Sequence, residues 1–279
     1  MNIIAMPDLI ESGAHFGHRM ERWNPKMKPY ILGTRKRIHI IDLKETIKGV
    51  IQATELLKAI AKKGELVMFV CTKKQLTSII EEQAKRCGMP YVNNRWLGGT
   101  FTNFDTIRKQ LTKLIGFEKS VSDGTIIHAN KKEKSQFQRE LQRLNNNLGG
   151  LHEMSRLPSV LIAVDQIRSK TALDEAHRSD MPTVCLIDTD GNPDKVTIPI
   201  PINDDAIRSV HLVLSKLTDA IIEGKGEMII KPLKTAEEEI EKSHKKIIHF
   251  KRKTSGDKEE SHGTGERYRK EGSTRSTKK

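Results

Sequence analysis

The sequence predicts a three-layer α/β protein of the Rossmann or flavodoxin kind, a parallel sheet covered by helices on both faces. Short apolar runs, LVMFVC at 66–71, VLIAVD at 160–165 and TVCLID at 183–188, have the composition of strands buried on both sides. They alternate with segments of helical apolar spacing, and that alternation implies crossover connections and parallel pairing. The alternation breaks between 103 and 156, which predicts an inserted helical hairpin.

In chain order, residues 43–63 place Ile47, Val50, Ile51, Thr54, Leu57, Ile60 and Ala61 on one helical face, and Gly64 stops the helix. The strand 66–71 follows, then an amphipathic helix at 74–87 closed by Gly88, and a short strand at Tyr91–Val92. Two helices are expected at about 103–117 and 130–148, with apolar positions Ile107, Leu111, Leu114 and Ile115, then Phe137, Leu141, Leu144 and Leu148. No strand separates them, so they are expected to pair antiparallel and project from the sheet. The alternation resumes with a strand at 160–165, a helix at 168–179, a strand at 183–188 and an extended piece at 196–200. A final helix at 204–223 carries Ile207, Val210, Leu214, Leu217 and Ile221 on one side. The expected organisation is a discontinuous sheet domain (1–102 with 157–228), a hairpin (103–156) and a tail (229–279). Residues 241–279 hold +7 of the chain's +13 charge among scattered Gly, Ser and Thr, the composition of a disordered basic tail.

The net charge of +13 and a pI near 9.6 favour a polyanionic partner. No apolar run approaches the roughly 18 residues of a membrane span, so no membrane partner is expected. The start, MNIIAMPDLIES, has neither the charged-then-apolar order of an export signal nor the composition of a transit peptide. Cys71, Cys87 and Cys185 are widely spaced in apolar runs, as reduced structural thiols of a cytoplasmic protein would be.

The most informative stretch is 15–37, HFGHRMERWNPKMKPYILGTRKR. Arg19, Arg22, Lys26, Lys28, Arg35, Lys36 and Arg37 face a single acid, Glu21, with Phe16, Trp23 and Tyr30 interleaved. Cations reach phosphate oxygens and aromatic rings stack on unpaired bases, so this pattern points to nucleic acid. In NNRWLGGTFTNF at 93–104, a Gly-Gly-Thr turn precedes a helix and could hold a backbone phosphate beside Arg95. Trp96 there either stacks or anchors the loop in a core. Neither G-x-x-x-x-G-K-[ST] nor G-x-G-x-x-G occurs, which argues against the rival class, a nucleotide-dependent enzyme. His15 and His18 have no acid or thiol at ligand spacing and suit packing or phosphate contact better than metal. Asp188, Asp204 and Asp205 would meet at the carboxyl edge of the sheet, where they could hold a divalent cation or act as turn and cap residues. No spacing argues for a catalytic constellation.

Several longer motifs recur in order: SGAHFGHR at 12–19, WNPKMKPYILGTR at 23–35, HIIDLKET at 39–46 and NNRWLGGTFTNF at 93–104. PSVLIAVDQIRSKTALDEAHRSDMP at 158–182, DTDGNPD at 188–194 and INDDAIRSVHL at 202–212 follow. Through them the chain resembles the family of small-subunit ribosomal protein two, bacterial or organellar type, over about residues 5–228. The resemblance implies a Rossmann-like domain with a protruding helical hairpin and a structural, non-catalytic role in translation. It implies binding to small-subunit ribosomal RNA between head and body, next to other ribosomal proteins, including protein one, which helps capture messenger RNA. On the matching motifs it implies RNA contacts by Arg19, Lys26, Lys28, Arg35, Lys36, Arg37, Arg95 and Trp96. On the hairpin it implies contacts by Arg108, Lys109, Lys113, Lys131, Lys132 and Arg139. Arg22 and Trp23 join them from the basic–aromatic pattern alone. No cofactor is required, although zinc or magnesium at Asp188, Asp204 and Asp205 would make a metal-assisted docking surface for protein one. Self-association is not expected.

Overall fold

A computed structural model describes residues 4–123, 131–152 and 154–226; the expected tail lies outside the described residues. A short helix α1 (Met6–Glu11) leads into β1 (Phe16–Arg19), β2 (Ile31–Arg35) and β3 (Ile38–Ile41). These three make an antiparallel sheet in the order β1-β3-β2. The basic composition of the segment masks its strands. They are only four or five residues long, and register shifts at Phe16/Arg19 and Ile31/Gly33 spoil the alternation that would reveal them.

From Leu43 the chain follows the predicted order: α2 (Leu43–Lys62), β4 (Val67–Val70), α3 (Thr77–Cys87) and β5 (Tyr91–Val92). α4 (Phe104–Ser122) and α5 (Lys131–Leu148) come next, then β6 (Val160–Val164), α6 (Lys170–Arg178), β7 (Thr183–Ile187), β8 (Ile198–Pro201) and α7 (Ile207–Lys225). Asp42 starts α2 by accepting from the Lys44 amide at 2.9 Å. Gly88, at φ 59°, ends α3 in the left-handed conformation that lets its amide reach back to the last turn. α3 starts at Thr77 because Lys74–Leu76 form a 3-10 turn. α7 starts at Ile207 because the Asn203 side chain takes the amides of Asp205 and Ala206 into a turn.

The parallel sheet runs β5-β4-β6-β7-β8, a doubly wound order that reverses between β4 and β6. β4, β6 and β7 are buried at every position, as apolar runs without alternation require. Pro199 and Pro201 fall on β8, an edge strand, where their missing amides break no ladder. Val67, Phe69, Ile162 and Leu186 pack against α2, α3 and α7. Met68, Val70, Leu161 and Cys185 face α6 and the apolar stripes Ile107–Leu111–Leu114 of α4 and Leu144–Leu148 of α5. Each such fully buried aliphatic side chain contributes about 1.5–3 kcal/mol.

Farther along, α4 and α5 pair with each other. Lys113 meets Glu140 at 2.6 Å and the rings of Phe117 and Phe137 lie 4.7 Å apart, so one helix runs up as the other runs down. Their bases belong to the sheet's core, and beyond Leu114 and Leu144 the apolar contacts are between the two helices.

Candidate nucleic-acid interface and the acidic edge

The N-terminal basic segment, the Gly-Gly-Thr segment and the bases of the paired helices share one apolar cluster. Met27 is fully buried and, with Tyr30 and Ile31 packed against the cluster, ties the N-terminal segment to the apolar cluster that holds Trp96, Phe101 and the bases of α4 and α5. Arg19, Arg22, Lys28, Arg35, Lys36 and Arg37 are exposed, with no ion-pair partner among the described residues. Lys26 is exposed but paired with Asp194. The aromatics behave differently. Trp23 is half-buried with its ring 5.1 Å from that of His39, and Tyr30 packs against the core.

Trp96 takes the anchoring alternative: its indole lies in the core, donates to Glu175 Oε1 at 3.0 Å and meets Phe101 edge-on at 4.9 Å. It therefore has no free face for a base, which corrects its place among the expected RNA contacts. Glu175, on α6, also accepts the amides of Gly99 at 2.8 Å and Phe101 at 3.0 Å. One buried carboxylate thus shapes the whole Gly-Gly-Thr turn and leaves Arg95 on the surface. On the paired helices Arg108, Lys109, Lys113, Lys132 and Arg139 are exposed. Lys113 is held by Glu140, and Arg139 Nε donates to the Ser135 carbonyl. Lys131 begins α5, and its side chain lies outside the described residues.

The carboxyl ends of the parallel strands carry the opposite charge. Asp165 follows β6, Asp188 and Asp190 follow β7, and Asp204 and Asp205 follow β8. Lys73, just beyond β4, is buried among them, 2.6 Å from Asp204, 2.9 Å from Asp205 and 3.3 Å from Asp165. Burial opposes its charge, yet these three carboxylates hold its pKa well above that of an ordinary lysine. Burial likewise pushes the Asp204 carboxyl up to about 7 against the pull of Lys73, while the hydrogen bond from Lys73 lowers that of Asp205. β1 lies across this edge. His18 Nδ1 is 2.9 Å from Asp188, and Nε2 is 3.7 Å from Asp190 and 3.8 Å from Asp205. Asp188 chiefly raises the His18 pKa, to about 9, so the imidazole is charged at neutral pH.

A doubly wound sheet offers ligands the crevice outside its strand ends, where the order reverses. Here Lys73 occupies that place, and the N-terminal segment lies over the neighbouring ends of β7 and β8. Gly17 makes the approach possible, because a Cβ there would lie 2.6 Å from the methyl of Thr189, which is fully buried. The Thr189 hydroxyl meanwhile accepts from the His18 amide at 2.9 Å. Gly17→Ala is therefore expected to destabilise the fold by about 1–3 kcal/mol. Hydrogen exchange should show faster exchange at the His18 amide; unchanged protection would mean that β1 sits loosely. Asp204, one of the three expected metal ligands, is turned to Lys73, and no group of three or more His, Cys, Asp or Glu among the described residues has metal-site geometry. No helix among them is long and apolar enough to cross a membrane.

Sequence reasoning missed Lys73, Asp165 and Glu175. The first two were marked by standing where apolar strand runs end, whereas Glu175, inside an amphipathic helix, carried no signal.

Known proteins resemble this chain over most of its length. The small ribosomal subunit protein uS2 of Rhodopirellula baltica is 47% identical over 220 residues, covering 79% of this chain and 85% of that one. The protein of the same name from Nitratiruptor is 47% identical over 223 residues, 80% of this chain and 84% of its own. The uS2c protein of Porphyra purpurea is 46% identical over 229 residues, 82% of this chain and 95% of its own. The profile of Ribosomal protein S2 matches residues 9–224, so the chain belongs to the ribosomal protein S2 family, structural and non-enzymatic constituents of the small ribosomal subunit.

Proposed function

We propose that this chain fastens to small-subunit ribosomal RNA between head and body through Arg19, Arg22, Lys28, Arg35, Lys36 and Arg37. Arg95 and the outward cations of the paired helices extend that surface. One observation carries this: cations that are exposed and without an ion-pair partner among the described residues come from three segments rooted in one apolar cluster. The paired helices serve as an arm, since their outer halves contribute charge beyond the sheet's core. Attachment is electrostatic, so affinity falls with salt at a log–log slope of roughly 0.7–0.9 per phosphate neutralised. Sucrose-gradient sedimentation of lysates at rising salt tests it. Replacing the cations of 19–37 by glutamine should release the protein at much lower salt than replacing as many in the tail. Equal effects would remove the segment 19–37 from the interface.

The carboxyl edge of the sheet, where Asp190 and Asp205 reach the surface near the exposed Ile167 and Ile207, offers acid and apolar surface to a protein neighbour. We assign it to docking of ribosomal protein one. Zinc or magnesium enters as a bridge completed by the partner, with Asp204 and Asp205 as oxygen donors after release from Lys73 and Asp188 after release from His18. Asp188→Asn with Asp205→Asn should strip protein one from purified subunits while this chain stays bound. Retention of protein one would sink the docking assignment, and retention after chelation would remove the metal.

A further inference from the structure

The strands β2 and β3 are joined by only two residues, Lys36 and Arg37, with φ 50° and 65°. Positive φ at both positions is the type I′ hairpin turn, which strongly prefers Asn-Gly because side chains with a Cβ resist it. Here two long cations occupy it, next to a third at Arg35. The ribbon behind them stands free: 32–37 are exposed at every position, Leu32 to 73%, and a Cβ at Gly33 would meet nothing within 4 Å. Its base is firm, since the Arg37 carbonyl accepts from the Met20 amide at 3.0 Å and Tyr30 and Ile31 pack against the core. The aromatics of this segment do not share the tip. Trp23 faces His39, Tyr30 faces the core, and the exposed Phe16 lies against the ring of His15 at 4.0 Å.

We infer that the Arg35–Lys36–Arg37 tip is a strained, rigid probe for the phosphate backbone of duplex RNA, not a stacking platform for unpaired bases. A ribbon that leads with cations and keeps its rings behind can straddle phosphates across a groove. It offers no exposed ring at the tip to a single strand. The inference rests on the RNA-binding function proposed above and narrows its ligand to paired RNA.

The test is anisotropy titration of the full chain with a blunt RNA duplex and with an oligouridylate of equal length, over a range of salt. Lys36→Gln with Arg37→Gln should weaken duplex binding about tenfold and lower the log–log salt slope by about 1.5–2, leaving the melting temperature unchanged. Lys36→Asn with Arg37→Gly should lose the same affinity but melt about 2–6 °C higher, because it relieves the turn. If both pairs bind like the parent while Arg19→Gln, Arg22→Gln and Lys28→Gln together weaken binding, the tip is no probe and the broader proposal stands. The tip charges would then only guard an open sheet edge. If none of the three variants weakens binding, both proposals fall. Oligouridylate binding as tight as duplex binding would overturn the choice of paired RNA.

Discussion

Glu175→Ala is expected to destabilise the fold by about 4 kcal/mol, because it leaves three N–H donors facing a void. The carboxylate accepts from Trp96 Nε1 at 3.0 Å, the Gly99 amide at 2.8 Å and the Phe101 amide at 3.0 Å. Bonds to a charged acceptor contribute about 1.5–3 kcal/mol each and do not add fully when they share one group. Among the described residues no cation pairs with Glu175, so the amide and indole dipoles alone stabilise its charge. Glu175→Gln keeps an oxygen for two of the donors but sets its carboxamide NH2, a donor, against the Phe101 N–H, and should lose only about 1–2 kcal/mol. Urea unfolding checks both values. The indole of Trp96 should also move its emission to the red in the alanine variant, with Trp23 as the chain's only other tryptophan. An alanine variant within 0.5 kcal/mol of the parent, roughly the limit of a silent surface change, would mean the turn holds its own shape. Arg95 and the start of α4 are carried by this turn, so the alanine variant should also weaken RNA association; the glutamine variant should restore most of it.

The parallel sheet was legible because its signal is local. A strand buried on both faces must be apolar at every position, and β4, β6 and β7 stand out for that reason. Helices α2, α3 and α7 were legible from their stripes, with boundaries off by a few residues where turns took the first amides, as at Asn203. The three-stranded N-terminal sheet was not legible. Its strands lean on partners distant in sequence, and its sharpest turn is made by Lys36 and Arg37 rather than by residues that favour it. The cations of 15–37 were visible as a composition, but their separation from the aromatics required β3, which buries His39 beneath Trp23. Trp96 shows the same limit. Whether an indole stacks or anchors depends on Glu175, which lies 79 residues away.

Lys73→Met should destabilise the fold by about 3–5 kcal/mol, since it strands buried carboxylates at the strand ends without their cation. Lys73 and Asp204 are both buried 2.6 Å apart, and Asp165 stands 3.3 Å from the same ammonium. The pair itself need not favour folding over an apolar one; the penalty comes from removing one side of it. Asp204→Asn in the Lys73→Met background should therefore recover part of the loss, and a double-mutant cycle should give a coupling of about 1.5–3 kcal/mol. The location makes this more than a stability test. In doubly wound folds the reversal between β4 and β6 is where a ligand enters, and here its charge is internal to the protein. If the cycle came out additive within about 0.5 kcal/mol, Lys73 and Asp204 would not act as a pair. A coupled cycle, with no gain of nucleotide binding in the double variant, would tie Lys73 to holding the strand ends closed under His18.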